Sequence, residues 1–214
     1  MYAVSIFPSK RKPSPIHSDG LLNLIEERQW TQIRKLLSSR KIIRKDSTSS
    51  TSKQFEETVN LLLEACRHDP PVSVVTSLIK AFPSAAHKSN SEKKFPLHVA
   101  CDHGASPNVI RELLRANKDA ALQRDVSGML PIHRVCRFYY DTIDSWTMPQ
   151  DICAYSSVLQ ILQQLLDTAP SSILEEDGEG VCPIEHALES GIHIDIIQSL
   201  QVEAEKERKL RIER

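Results

Sequence analysis

Residues 96–136 read PLHVACDHGASPNVIRELLRANKDAALQRDVSGMLPIHRVC, and the second PIHRVC answers the first PLHVAC at a distance of 35 residues. Cys66, Cys101 and Cys136 are evenly spaced at that interval, in LLLEAC, PLHVAC and PIHRVC. A second apolar stretch follows each block: Leu78-Ile79, Leu113-Leu114 and Leu165-Leu166. From the last residue of each pair to the next proline (Pro96, Pro131, Pro183) the count is 17 every time. A fourth unit begins at Pro183, with PIEHALESGIHIDIIQSL. Pro131 to Pro183 is 52 residues rather than 35, so one unit carries a 17-residue insertion between Cys136 and Leu165. A fixed period of this length marks an array of stacked units.

Each unit reads as two short helices. Proline suits the first turn of a helix, where its missing N–H costs nothing. Leu97, Ala100 and Cys101 share one helical face; Gly104 ends that helix, and Ser106-Pro107 begins the next. Val109, Ile110, Leu113 and Leu114 make the second apolar stripe. Asp125-Val126-Ser127-Gly128 and Asp177-Gly178-Glu179-Gly180 supply turn chemistry ahead of the next proline. Neither helix can bury its stripe alone, so the units are expected to stack.

Composition agrees with a helical chain. There are 6 glycines in 214 residues, where average usage gives about 15. That leaves little scope for Gly-rich phosphate loops. A net charge of −1 removes bulk electrostatics as a basis for nucleic-acid or anionic-membrane binding. No apolar run approaches the ~18 residues of a membrane span. Five cysteines without a CxxC pair fit a reduced compartment. The expectation is a cytoplasmic protein, or a nuclear one if Lys10-Arg11-Lys12-Pro13 serves as an address.

Pro96-Leu97-His98-Val99-Ala100 with Gly104, Pro131-Ile132-His133, and the Asp125…Gly128 and Asp177…Gly180 turns together resemble the ankyrin repeat. The family expects Thr before the proline, where Phe95, Leu130 and Cys182 stand. It expects His two residues after it, where the fourth unit has Glu185 and the unit around Cys66 has Leu63. The period exceeds the usual ~33. The resemblance covers roughly 61–200 and, weakly, 19–44, where Ile33 to Leu37 mimic Ile110 to Leu114. It implies an all-α solenoid of about four units plus a cap. The organisation reads as a disordered basic tail (1–18), a capping helix pair (19–45), a Ser/Thr-rich linker (46–60), repeats at 61–95, 96–130 and 131–182, and a C-terminal repeat with a charged capping helix (183–214).

What the resemblance implies for function is protein–protein binding on a concave surface of turns and first-helix faces. Lys93, Asp102, His103, Val126, Met129, Arg134, Arg137 and Glu179 are expected there. The insertion is the other candidate. Phe138, Tyr139, Tyr140, Trp146 and Tyr155 concentrate five of the 11 aromatics in 18 residues. Such rings dominate interface hot spots, but they also serve to cover their own helix pair, the reading preferred here over an exposed partner site. Pro149 with Asp151 is expected to start a second helix about two turns longer than its counterparts.

Other chemistry is weaker. His98/Cys101 and His133/Cys136 have ligand-like spacing for zinc. Helices stacked about 8–10 Å apart hold two such pairs too far apart for one ion. The Cys is read as a small buried apolar residue, and the resemblance makes the His a backbone hydrogen-bonder. Glu175, Asp177, Glu179 and Gly180 sketch a calcium loop, but His186 holds its twelfth position. No metal, cofactor or catalytic centre is expected, and the chain is read as a monomer that binds another protein without specific nucleic acid. The alternative is a spacer or regulatory subunit with a structural array. The cations from Arg34 to Lys45 fit a solvated helix face or an acidic partner.

Overall fold

The apolar stripes fold as their spacing requires. In the computed structural model, which describes residues 18–38, 61–142 and 152–213, all regular structure is helical and no strand occurs among the described residues. The helices are α1 (Ser18–Glu26), α2 (Trp30–Ser38), α3 (61–67), α4 (Val72–Ala81), α5 (Pro96–Asp102), α6 (Pro107–Ala116), α7 (Pro131–Thr142), α8 (Ile152–Thr168), α9 (Pro183–Glu189) and α10 (Ile194–Ile212). Proline opens α5, α6, α7 and α9. The odd-numbered helices from α5 pack in sequence, α5 on α7 and α7 on α9. The even-numbered ones form a second layer, α2 on α4, α4 on α6 and α6 on α8. Val109, Ile110, Leu113 and Leu114 of α6 are all buried between the layers, each contributing roughly 1.5–3 kcal/mol.

Where the described residues include the join between the two helices of a pair, that join holds a left-handed residue. Gly104 (φ 62°) and Gly191 (φ 66°) take this conformation, and so does Asp69 (φ 46°), 35 residues before Gly104. Glycine scarcity at this position is thus met by Asp, one of the few residues that visits the left-handed region. Arg28 (φ 54°) does the same between α1 and α2. The Gln29 N–H donates to Leu24 C=O there, just as Ala105 donates to Ala100 and Ile192 to Ala187. This is the 6→1 bond of a Schellman closure. The α1–α2 pair therefore has the form of the other pairs, with Ile33 fully buried.

α4, α6 and α8 each run into a 3₁₀ turn that the periodicity does not announce: Pro83–His87, Asp119–Leu122 and Pro170–Leu174. Ala85, Ala86, Ala120, Ala121 and Ile173 of these turns are buried. Asn117 Nδ2 donates to Ala86 C=O at 2.9 Å, tying one turn to the unit before it.

The insertion lengthens both helices of its pair. α7 has 12 residues against 7 in α5, and α8 has 17 against 10 in α6. The expected two extra turns of α8 are present. Phe138, Tyr139 and Tyr140 lie within α7. α10 continues through the charged sequence to Ile212, as its helical charge spacing suggested.

Candidate functional site: the row of turns and the inner helix face

Three turns precede α5, α7 and α9, and they are built alike. In Asn90–Lys94 the Asn90 Oδ1 accepts from the Glu92 and Lys94 amides; in Asp125–Met129 the Asp125 Oδ1 accepts from Ser127 and Met129. In Asp177–Val181 the Asp177 Oδ1 accepts from Glu179 and Val181. The fourth residue is left-handed each time: Lys93 (φ 55°), Gly128 (φ 76°) and Gly180 (φ 80°). Consecutive turns are joined through the backbone. Val126 N–H donates to Glu92 C=O and Gly178 N–H to Ser127 C=O, both at 3.0 Å. A Cβ on Gly178 would stand 2.6 Å from Ser127 O, so the close approach requires glycine.

The charge of each turn residue is matched nine positions on. Arg134 Nε donates to Asp125 Oδ2 at 2.9 Å, and His186 Nε2 meets Asp177 Oδ2 at 2.8 Å. Where position nine is Val99, the turn residue is the neutral Asn90. An unpaired buried carboxylate is costly, which accounts for the exchange. Burial alone would raise Asp177; the Val181 and Glu179 amides and His186 outweigh it and hold its carboxyl below the usual range.

The histidines bind unit to unit. His98 Nδ1 accepts from the Phe95 amide at 3.3 Å and its Nε2–H donates to Gln123 C=O at 3.0 Å. His133 repeats this with Leu130 at 3.1 Å and Glu175 C=O at 3.0 Å. An amide donating to Nδ1 fixes the neutral tautomer with its proton on Nε2. Burial pushes both rings down, His133 to about 4. In the last described unit Glu185 replaces the His and accepts from its own Cys182 amide, at 2.7 Å. With both nitrogens of each ring engaged, His98 and His133 act as connectors. Among the described residues no group of three or more His, Cys, Asp or Glu is placed to hold a metal ion.

Cys66, Cys101 and Cys136 are buried. Burial pushes the Cys66 and Cys136 thiols up to about 12 and Cys101 well above its ordinary value. Their thiolates are therefore scarce, and the assignment to the core holds.

The expected surface residues divide in two. Lys93, His103, Val126, Arg137 and Glu179 are exposed, Val126 by 66%. Met129 is not: it is 2% exposed, because both its backbone groups close the Asp125 turn and its side chain enters the interior. It is removed from the surface set. Arg134 and Asp102 are half-withdrawn into an ion network. Arg134 pairs with Asp125 and, at 3.4 Å, with Asp102, which also meets Lys94 at 3.0 Å. Their first role is to hold α5 and α7 to the turns. Partial burial lowers His103, with Arg67 and Lys94 acting in the same sense against Asp102. Arg67 and Lys94 were missed; each sits a repeat-defined distance from a named residue, which was the available signal. Trp146 lies outside the described residues, as do the side chains of Phe138, Tyr139, Tyr140 and Tyr155.

Compared with protein-family models and with curated proteins, the chain matches neither. No helix among the described residues is long and apolar enough to cross a membrane.

Proposed function

We propose that this chain is a divergent ankyrin-type solenoid that works as a protein-binding scaffold or adaptor, engaging one partner along the row of turns and the adjoining inner helix face. The observation that carries the reading is the bonded register of the three turns. Backbone bonds from Val126 to Glu92 and from Gly178 to Ser127 hold exposed side chains at a fixed pitch, and a pre-ordered surface spends little entropy on binding. Lys93, His103, Val126, Arg137 and Glu179 would make the contacts, with Arg67 beside them. The module acts as a monomer, and its chemistry is recognition rather than turnover.

The test is affinity purification of the full chain against a Val126→Asp/Arg137→Glu variant, with thermal melts of both. A stoichiometric partner lost by the variant at unchanged melting temperature is the expected result. A partner retained in full by the variant would assign the array to a spacer role.

A further inference from the structure

The outward side of the second layer carries charge of predominantly one sign. α2, α4 and α6 lie side by side there, and Thr76 Oγ1 donates to Glu112 Oε2 across the α4–α6 seam at 3.4 Å. Their inward stripes are buried: Ile33, then Val74, Val75 and Leu78, then Val109, Ile110, Leu113 and Leu114. The opposite sides present Arg34 and Lys35 from α2, Lys80 from α4, and Arg111 and Arg115 from α6, with Lys118 just beyond, all of them exposed. Their alignment follows from the repeat. Arg34 in IRKLL stands where Arg111 stands in IRELL, and Lys80 lies 35 residues before Arg115.

Most of these cations are unengaged. Arg115 pairs with Glu112 at 2.7 Å. Arg34, Lys35, Lys80, Arg111 and Lys118 have no ion pair among the described residues, whereas Lys94 and Arg134 are each held by two carboxylates. The acids of these three helices and the 3₁₀ turns after α4 and α6 are Glu112, engaged by Arg115 and Thr76, and Asp119. Neither Trp30 nor Phe82 is fully exposed, so the surface offers no ring for base stacking.

The basic surface is also bounded. In a stack, order along the chain is order along the axis. The next helix of the layer, α8, bears Asp167 where α4 and α6 bear Lys80 and Arg115, and residues 138–205 hold 13 Asp and Glu but no Lys or Arg. Neighbouring helices about 8–10 Å apart set α2 and α6 roughly 20 Å from each other. About six extended residues span that distance. A membrane plane, or a nucleic-acid duplex laid along the row, continues past this limit and brings its phosphates against the acidic block. A short acidic segment of protein does not.

We propose that the outer face of α2, α4 and α6 docks a short acidic segment of a second protein, separately from the row of turns. Asp or Glu side chains of the segment meet Arg34, Lys80 and Arg111, and Lys35 and Lys118 add to the attraction from either side.

Fluorescence anisotropy of the full chain with labelled peptides of about 12 residues tests this, one composed of Glu and Ser and one of Lys and Ser. The Glu/Ser peptide is expected to bind, at least about fivefold more weakly when salt rises from about 0.05 to about 0.3 M, and the Lys/Ser peptide not to bind. Lys80→Glu/Arg111→Glu is expected to weaken the Glu/Ser peptide by about tenfold at an unchanged melting temperature. Arg208→Glu/Lys209→Glu, which alters net charge equally on exposed positions of α10, should leave binding within about twofold. Absence of Glu/Ser binding, or equal weakening by both double variants, would overturn the proposal. So would duplex DNA binding tighter than the peptide, or pelleting with phosphatidylserine vesicles, lost in Lys80→Glu/Arg111→Glu; either would give the face to a phosphate-bearing partner. Concentration-dependent self-association lost in that variant would overturn it too, giving the face to the acidic block of a second copy.

Discussion

Acid should weaken the stack through His133, and the size of the effect follows from its surroundings. The ring is fully buried, accepts the Leu130 amide on Nδ1 and donates to Glu175 C=O from Nε2. Protonation would set an N–H of Nδ1 against the N–H of Leu130, with Arg124 and His186 adding repulsion and Asp177 opposing it. The folded ring titrates at about 4, the unfolded one at 6.5. Because the folded state takes its proton at the lower pH, stability is complete above about 6.5, falls as pH drops, and reaches its floor below about 4. Over that window the loss is about 3 kcal/mol, and about 2 kcal/mol of it is spent between pH 7 and 4.5. His98 shifts in the same direction. Urea unfolding of wild type and His133→Gln at pH 7, 6, 5 and 4.5 isolates the residue. The variant keeps at most one of the two bonds and should lose about 1–3 kcal/mol at pH 7. Its deficit should shrink by about 2 kcal/mol at pH 4.5, since Gln has no proton to gain. A deficit of constant size across the series would refute the buried neutral ring.

The turns make a second, ordered prediction. Gly178→Ala places a Cβ against the Ser127 carbonyl and should cost at least about 2 kcal/mol, whereas Gly180→Ala meets open space and should cost only about 1 kcal/mol for its positive φ; thermal melts rank them. Lys93→Gly should raise the melting temperature slightly, by relieving a left-handed conformation worth about 1 kcal/mol in an L-residue. In native protein carrying Cys153→Ser, a thiol reagent should modify the half-buried Cys182 before Cys66, Cys101 and Cys136, with peptide mapping to assign the sites.

Much of this was legible because the physics is local and periodic. Proline at first turns, the stripes at Leu113-Leu114 and Leu165-Leu166, and the Asp…Gly turns all leave their signature within a few residues. Asp69 could be read as a helix closer because it stands 35 residues before Gly104. The 3₁₀ turns were not legible as turns: Ala85-Ala86 and Ala120-Ala121 recur at 35 residues, but two small apolar residues carry no helical stripe, and their conformation comes from packing beneath the next unit. Met129 was misplaced for a related reason. Alternation in a turn puts Val126 outside, but which way Met129 points depends on two backbone bonds to Asp125.

Hydrogen exchange at the Val126 and Gly178 amides tests the bonded register most directly. Both lie at the tips of turns, where an amide facing water exchanges within the intrinsic rate. The bonds to Glu92 and Ser127 predict protection of both amides, lost together with the global unfolding of the neighbouring units. Exchange of either amide at the unprotected rate in otherwise folded protein would contradict the register on which the stack depends.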